Sequence, residues 1–200
     1  MPLGRRHVRT FVQRKAPLMP RQVALLRGIN VGGHKKFSMA QQRALTAELG
    51  FQDVTVLLQT GNIVFADPGT PPEETARTLE AGFAAALGVP VPVMVRTRDD
   101  LAAAVAANPF PQAVAEPKTL HLTFLSEPPA DTAPLDVLDP AVYEPDVFRL
   151  LGRDLYLWCP DGVGRSRLAT AVTAASVKLG VTATARNWNT VLKILAAADA

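Results

Sequence analysis

Apolar and polar positions alternate along the chain in a way that predicts short strands separated by helices. Residues 23–26 form a continuous apolar run, which is typical of a buried strand, and a glycine-rich turn follows it. Ser38 and Gln41 then form a capping-box pattern that predicts a helix ending near Gly50. The pattern further predicts strands at residues 54–58, 63–65 and 91–96, a tight turn at 59–62, and helices at 72–88 and 99–107.

The same order of elements recurs in the second part of the chain. Gly88 and Gly180 each follow a leucine, lie 92 positions apart and close equivalent predicted helices. We therefore predict an α+β protein built from two tandem βαββαβ (ferredoxin-like, α/β plait) halves, each with an extra trailing helix. In the second half the pattern predicts strands at residues 120–125, 146–151, 155–159 and 182–185, and helices at 136–142, 166–179 and 190–198.

Proline-rich composition at residues 108–118 predicts a linker between the halves. The first half then spans residues 21–107 and the second spans 119–200. Strands in both halves are apolar on both faces, although a sheet with helices on one face is normally wet on the other. We therefore expect the open faces of the two sheets to be covered, by each other, in one compact body.

Positive charge is concentrated at the start of the chain. The sequence contains 21 Lys and Arg against 18 Asp and Glu, with a pI of about 9.3. Residues 1–20 hold five of these bases and no acid, which leaves 16 bases against 18 acids for the rest. This segment is interpreted either as a basic, disordered tail or as the result of a translation start assigned upstream of Met19. Its composition also resembles an organelle transit peptide, so overall charge is weak evidence for nucleic-acid binding.

Several classes of protein are excluded by composition. A single cysteine, Cys159, allows no internal disulfide and no multi-cysteine zinc site, and its place in a predicted strand indicates a core thiol. The sequence shows neither a run as long as a membrane span nor a signal peptide, so we predict a cytoplasmic protein without membrane contact. No metal site is predicted. His34 is the one candidate acid or base, and the pattern identifies no cofactor, catalytic residue or oligomeric state.

Three short motifs resemble the signatures of a bacterial family of uncharacterised proteins, domain of unknown function 1697. They are Leu-Arg-Gly-Ile-Asn-Val-Gly-Gly at residues 26–33, Gln-Thr-Gly-Asn-Ile-Val-Phe at 59–65, and Thr-Ala-Arg-Asn-Trp-Asn-Thr-Val at 184–191. The similarity extends over about residues 21–198. The resemblance implies the plait architecture, but it implies no substrate and no catalytic residue.

Basic residues lie where two helices are predicted to begin. The free N–H groups and the dipole at a helix N-terminus favour an anion, so cations gain nothing there unless an anion joins them. Lys35 and Lys36 precede the first helix, and arginines flank Ser166 at the start of a helix in the second half. The equivalent helix of the first half begins with Glu73 and Glu74, as the dipole prefers. This contrast predicts a ligand with a phosphate or carboxylate group.

Plait topology brings further polar residues to these loops. In the first half, the loop after the first strand and the turn between the second and third strands share one sheet edge, which places residues 27–36 near residues 59–62. In the second half, the loop before the second main helix and the end of the last strand share the opposite edge, which places residues 165–167 near residues 186–189. If the halves pack with inverse sense, both ends line one cleft. The glycines also suit a turn, the 59–62 residues a hairpin, and the final asparagines a helix cap. The predicted ligand-binding set is Arg27, Asn30, Gly32, Gly33, Lys35, Lys36, Gln59, Asn62, Arg165, Ser166, Arg167, Arg186, Asn187 and Asn189.

Two other functions are compatible with the sequence. Plait folds bind RNA through aromatic residues on their first and third strands, and Phe124, Tyr156 and Trp158 occupy such strands. A missing RNA-binding consensus and a near-neutral domain make this nucleic-acid module less favoured than a small anionic partner. The third possibility is a protein-interaction scaffold that binds no ligand.

Overall fold

A computed structural model describes residues 20–30 and 37–200 and shows the same order of elements twice. The first half consists of β1 (Arg21–Leu26), α1 (Met39–Glu48), β2 (Thr55–Leu57), β3 (Asn62–Ala66), α2 (Pro72–Leu87), β4 (Val93–Thr97) and α3 (Arg98–Ala106). The second half consists of β5 (Leu120–Leu125), α4 (Ala133–Asp136), β6 (Val147–Leu151), β7 (Asp154–Trp158), α5 (Arg167–Val177), β8 (Ala183–Asn187) and α6 (Trp188–Ala198). The connections contain 3-10 helices at Pro111–Ala115, Pro140–Val142 and Val163–Arg165.

Each half forms a four-stranded antiparallel sheet in which its first strand is one of the two central strands. The strand orders are β2-β3-β1-β4 and β6-β7-β5-β8. Ala24 pairs with Ile63 and Val95 in the first sheet, and Thr123 pairs with Leu155 and Ala185 in the second. The predicted fold class is therefore confirmed, and the strand registers define which positions of the two sheets are equivalent.

Local sequence explains where several helices begin and end. Ser38 and Gln41 form the predicted capping box of α1, with the Gln41 N–H donating to Ser38 Oγ at 3.2 Å. Gly88 ends α2 at a φ of 70°, in the left-handed region that favours glycine. Asn187, one of the two predicted caps of the last helix, accepts a hydrogen bond from the Thr190 N–H at 2.9 Å.

The helix predicted over residues 136–142 is wrong. This segment contains the end of the one-turn helix α4 and the separate 3-10 helix Pro140–Val142. Asp139 adopts an extended conformation between them, because Pro140 has no N–H and disfavours a helical residue before it. In the second half, the position of the ten-residue helix α1 is therefore taken by the four-residue helix α4.

The trailing helices cover the open faces of both sheets. One buried cluster combines Val23 of β1, Leu122 of β5, and residues of α3 and α6 such as Leu101 and Ile194. α6 contacts β1 and β3 of the first half as well as β5 and β8 of its own half. The two halves consequently share one hydrophobic core, which explains why their strands are apolar on both faces.

Two predictions from composition can be compared with the described part of the chain. Cys159 is buried directly after β7, and burial raises the pKa of its thiol. Across residues 20–30 and 37–200, no helix combines the length and the apolar character that a bilayer crossing requires.

Candidate functional site

Arg186, a predicted ligand residue, is buried where the two halves meet. Its Nε donates to Asn62 Oδ1 at 2.6 Å, and its Nη2 donates to the Leu26 carbonyl at 2.8 Å. Its guanidinium also donates to the carbonyls of Thr60, Gly61 and Ala185 and to Thr184 Oγ1. Burial lowers the pKa of Arg186 to about 10. Its Nε, Nη1 and Nη2 groups all donate to protein acceptors, so the Arg186 guanidinium is occupied by contacts within the fold.

Arg96 occupies the equivalent position in the first half. Arg96 pairs with Val23 in β1 as Arg186 pairs with Leu122 in β5. Its Nη2 donates to the Leu125 carbonyl at the end of β5, so each arginine bonds the end of the other half's first strand. Arg96, however, forms two hydrogen bonds where Arg186 forms six. A pseudo-twofold pair of arginines therefore joins the halves unequally.

The three motifs noted in the sequence meet at the Arg186 contact. Asn62 supplies the acceptor from β3, and its Nδ2 also donates to the Leu57 carbonyl across the hairpin at 2.8 Å. Asn30, at a φ of 57°, donates from Nδ2 to the Gln59 carbonyl at 2.6 Å and to the Phe37 carbonyl at 3.0 Å. These side chains therefore hold the loop, the hairpin and the second half together.

Other predicted ligand residues have structural partners or lie outside the described residues. Ser166 caps α5, its Oγ accepting from the Ala169 N–H at 2.8 Å, and Asn187 caps α6. Asn189 lies in the first turn of α6. Positions outside residues 20–30 and 37–200 are Gly32, Gly33, Lys35, Lys36 and the candidate acid or base His34.

Three predicted cations remain accessible. Arg27, Arg165 and Arg167 are exposed and form no salt bridge with any carboxylate of the described residues. The Arg167 guanidinium lies 5.9 Å from the centre of the Tyr143 ring, a cation–π arrangement. Arg27 and Arg165 carry no comparable contact among these residues, so their charges are available to an anion.

Arg27 lies at the rim of a cavity of about 280 Å³ between α5 and the second sheet. β8 is an edge strand of that sheet, and Arg27, which directly follows β1 of the first half, lies on the side of this edge. Val163, in the same 3-10 helix as Arg165, contributes to the lining. The cavity therefore brings together two of the loops in which the sequence predicted ligand residues. Its wall consists mostly of aliphatic side chains, with a few hydroxyls and one imidazole.

Small side chains account for the cavity. Ala183 and Ala185 of β8 line it, whereas their register equivalents in β4 are Val93 and Val95, which are buried in the core beneath α2. α2 also inserts Phe83 into that core. α5 presents mainly alanine, serine and valine to its sheet, so it fills less of the space.

His121 is a candidate residue that the sequence analysis missed. It lies on β5 and lines the cavity, and burial lowers the pKa of its imidazole. Its Nδ1 is buried without a hydrogen-bond partner. At the equivalent position of β1, Gln22 donates from Nε2 to Asp67 Oδ1 at 3.0 Å and to the Thr70 carbonyl at 2.8 Å. Polar alternation within β5 was the available signal, because it places His121 and Thr123 on a helix-covered face.

The aromatic residues required by the nucleic-acid interpretation are not displayed on an open sheet. Phe124 and Tyr156 are fully buried in the core shared by the halves. The Tyr156 hydroxyl donates to the Ala104 carbonyl at 2.7 Å, and Trp158 packs against Phe110 with ring centres 6.0 Å apart. These rings therefore stabilise the fold and offer no stacking platform.

Two plait sheets joined through their trailing helices define the class of protein. It is a two-repeat α+β protein with a cavity beneath the long helix of its second half. The chain belongs to the family described as "Protein of unknown function (DUF1697)", whose profile matches residues 19–156. The third motif, at residues 184–191, lies beyond this match. No curated protein is significantly similar to the chain.

A solved structure with the same fold comes from Streptococcus pneumoniae. It is described as conserved bacterial protein SP0830 and shares 22% sequence identity with this chain. The alignment covers 90% of this chain and 98% of that protein, with a TM-score of 0.71. The likeness supports the arrangement of both halves as a common architecture.

Proposed function

We propose that the protein binds a small organic anion in the cavity beneath α5. The carboxylate or phosphate of the ligand pairs with Arg27, and its apolar part fills the space between α5 and β8. The observation that supports this proposal is an exposed guanidinium, unpaired among the described residues, at the rim of an apolar cavity. A concave apolar site with few polar groups is the usual form of a small-molecule site.

The volume of the cavity limits the size of the ligand. An apolar protein cavity of about 150 Å³ accommodates benzene, so 280 Å³ has room for roughly ten to twelve non-hydrogen atoms. Phenylacetate and phenyl phosphate have this size and carry the required anionic group. Arg165, two positions after the lining residue Val163, supplies further positive potential at the same cavity.

Calorimetric titration and thermal unfolding with these two anions test the proposal. At a ligand concentration of about 100 times Kd, we expect the midpoint temperature of unfolding to rise by roughly 5–10 °C. Benzyl alcohol, which has no charge, is the ligand control and binds more weakly. Equal binding of the alcohol and the acids, or binding of neither acid, contradicts the proposal.

Matched variants locate the site. Arg27→Gln removes the charge-assisted hydrogen bond to the ligand and lowers the affinity for both anions by about tenfold. Arg43→Gln changes an exposed arginine on α1 and leaves affinity unchanged. Ala183→Val adds two methyl groups to the wall of the cavity and weakens binding of both anions. If Arg27→Gln and Arg43→Gln bind both anions equally well, the ligand lies elsewhere.

A further inference from the structure

His121 has a polar ring in a mostly apolar cavity without a protein partner. Its side chain forms no hydrogen bond with any residue among 20–30 and 37–200, and Nδ1 is sealed from solvent. The residue itself is partly exposed and contributes to the cavity lining. Since Nδ1 is closed off, the accessible part of the ring lies on the side of Nε2.

The sealed nitrogen determines which tautomer is favoured. A neutral imidazole carries one hydrogen, on either Nδ1 or Nε2, and burial favours the neutral form of His121 by lowering its pKa. A buried N–H without an acceptor is less tolerated than an unshared lone pair. The hydrogen therefore resides on Nε2, which becomes a donor toward the cavity.

We infer that the ligand of this cavity carries an oxygen acceptor that bonds His121 Nε2, in addition to the acid group that pairs with Arg27. This inference rests on the proposed function and narrows the ligand to a hydroxy or oxo acid with an apolar body. A purely hydrocarbon body would cover the Nε2 hydrogen and leave it without a partner. That loss corresponds to about a tenfold lower affinity than for a ligand with a correctly placed oxygen.

Phenylacetate and its 2-, 3- and 4-hydroxy isomers test the inference by calorimetric titration of the full chain. The three isomers place the oxygen at different depths, and at least one should bind about tenfold more tightly than phenylacetate. Equal affinity of all four acids would overturn the inference while leaving the proposed function intact. Failure of all four to bind would remove the proposed function itself.

Two variants separate the hydrogen bond from the shape of the site. His121→Gln retains an N–H donor and keeps a preference for the best hydroxy isomer. His121→Phe retains a ring but no donor, so it binds phenylacetate and loses the preference. A preference that persists in His121→Phe assigns the oxygen to another group and overturns the inference.

Nitrogen-15 NMR of the wild-type imidazole provides a readout that does not depend on a variant folding. The free protein should show a protonated Nε2 and an unprotonated Nδ1. The preferred hydroxy isomer should shift the Nε2 resonance more than phenylacetate does. A hydrogen on Nδ1 in the free protein, or identical shifts with both ligands, contradicts the assignment.

Discussion

The two halves share one topology, but only the first fills the space between its sheet and its long helix. α2 packs closely along β4, whereas α5 has few contacts with β8 and leaves the cavity beside Arg27. Valine at positions 93 and 95 and alanine at 183 and 185 account for much of this difference. The same topology thus accommodates a filled core beneath the long helix in one half and an open cavity in the other.

The same inequality appears at the arginines that join the halves. The first-half turn at residues 58–61 offers the carbonyls of Thr60 and Gly61 to Arg186. The corresponding turn of the second half has two residues, Gly152 and Arg153, and offers no such pair of carbonyls to Arg96. A shorter turn therefore leaves the first half's arginine less completely bonded.

Removal of Arg186 should have the largest effect on stability. Arg186→Met relieves the cost of a buried charge, but it leaves Asn62 Oδ1 and the Thr60 carbonyl without the hydrogen bonds that Arg186 donates to them. We expect the free energy of unfolding, measured with urea, to fall by about 3–5 kcal/mol. Arg96→Met, with two hydrogen bonds lost, should cost about 1–2 kcal/mol. Equal losses would show that the two contacts do not differ in strength.

Alanine at the two hairpin glycines should have the next largest effect. A Cβ on Gly61 would lie 2.6 Å from Leu26 Cβ at a φ of +77°, so Gly61→Ala should cost about 2–4 kcal/mol. Gly152 has a φ of +60° but open space around it, and its replacement by alanine should cost about 1 kcal/mol. Thermal unfolding of both variants measures the order, and a reversed order is incompatible with the described packing.

An exchange of side-chain size between the halves tests the origin of the cavity. Val95→Ala opens space beneath α2 and should cost about 2–3 kcal/mol. Ala183→Val occupies part of the space beneath α5 and should stabilise the protein by about 0.5–1 kcal/mol while it weakens anion binding. Urea unfolding and titration with phenylacetate give both quantities. Marked destabilisation by Ala183→Val would mean that the space cannot accept two further methyl groups.

Asp154 should produce the smallest and most pH-dependent effect. It is the register equivalent of Asn62, and burial raises the pKa of its carboxyl despite the nearby Arg96 and Arg153 and with a further contribution from Asp100. A raised pKa favours folding below the ordinary carboxyl pKa, and this contribution is lost as pH rises through the raised value. Asp154→Asn should therefore stabilise the protein at pH 7.5 relative to wild type.

The comparison at low pH is the control for this prediction. At pH 3, where the wild-type carboxyl is protonated in both folded and unfolded chains, the gain should disappear. Urea unfolding at the two pH values measures the difference. A gain that is equal at both values would assign the effect to shape and not to charge.

Strands and helix caps were predictable because their signals are local. Ser38 with Gln41 and Asn187 with Thr190 are three residues apart, and the apolar periodicity identified all eight strands of the described residues. The helix at residues 136–142 was mispredicted because apolar spacing outweighed Pro140. Proline at such a position is the stronger signal.

The interface and the cavity were not predictable from local patterns. Arg186 and its partner Asn62 are 124 positions apart, and neither residue type indicates the other. The cavity results from small side chains such as Ala183. In a sequence, small apolar residues have the same pattern as residues of a filled core. A position-by-position alignment of the two halves places His121 at the position of Gln22. It also places alanine at 183 and 185 where the first half has valine.

Crystals grown with 4-bromophenylacetate offer the most direct measurement of the central claim, since anomalous scattering locates the bromine. The account predicts a bromine peak between α5 and β8, with the carboxylate within hydrogen-bonding distance of the Arg27 guanidinium. A bromine peak at another surface with the cavity beneath α5 empty would contradict it.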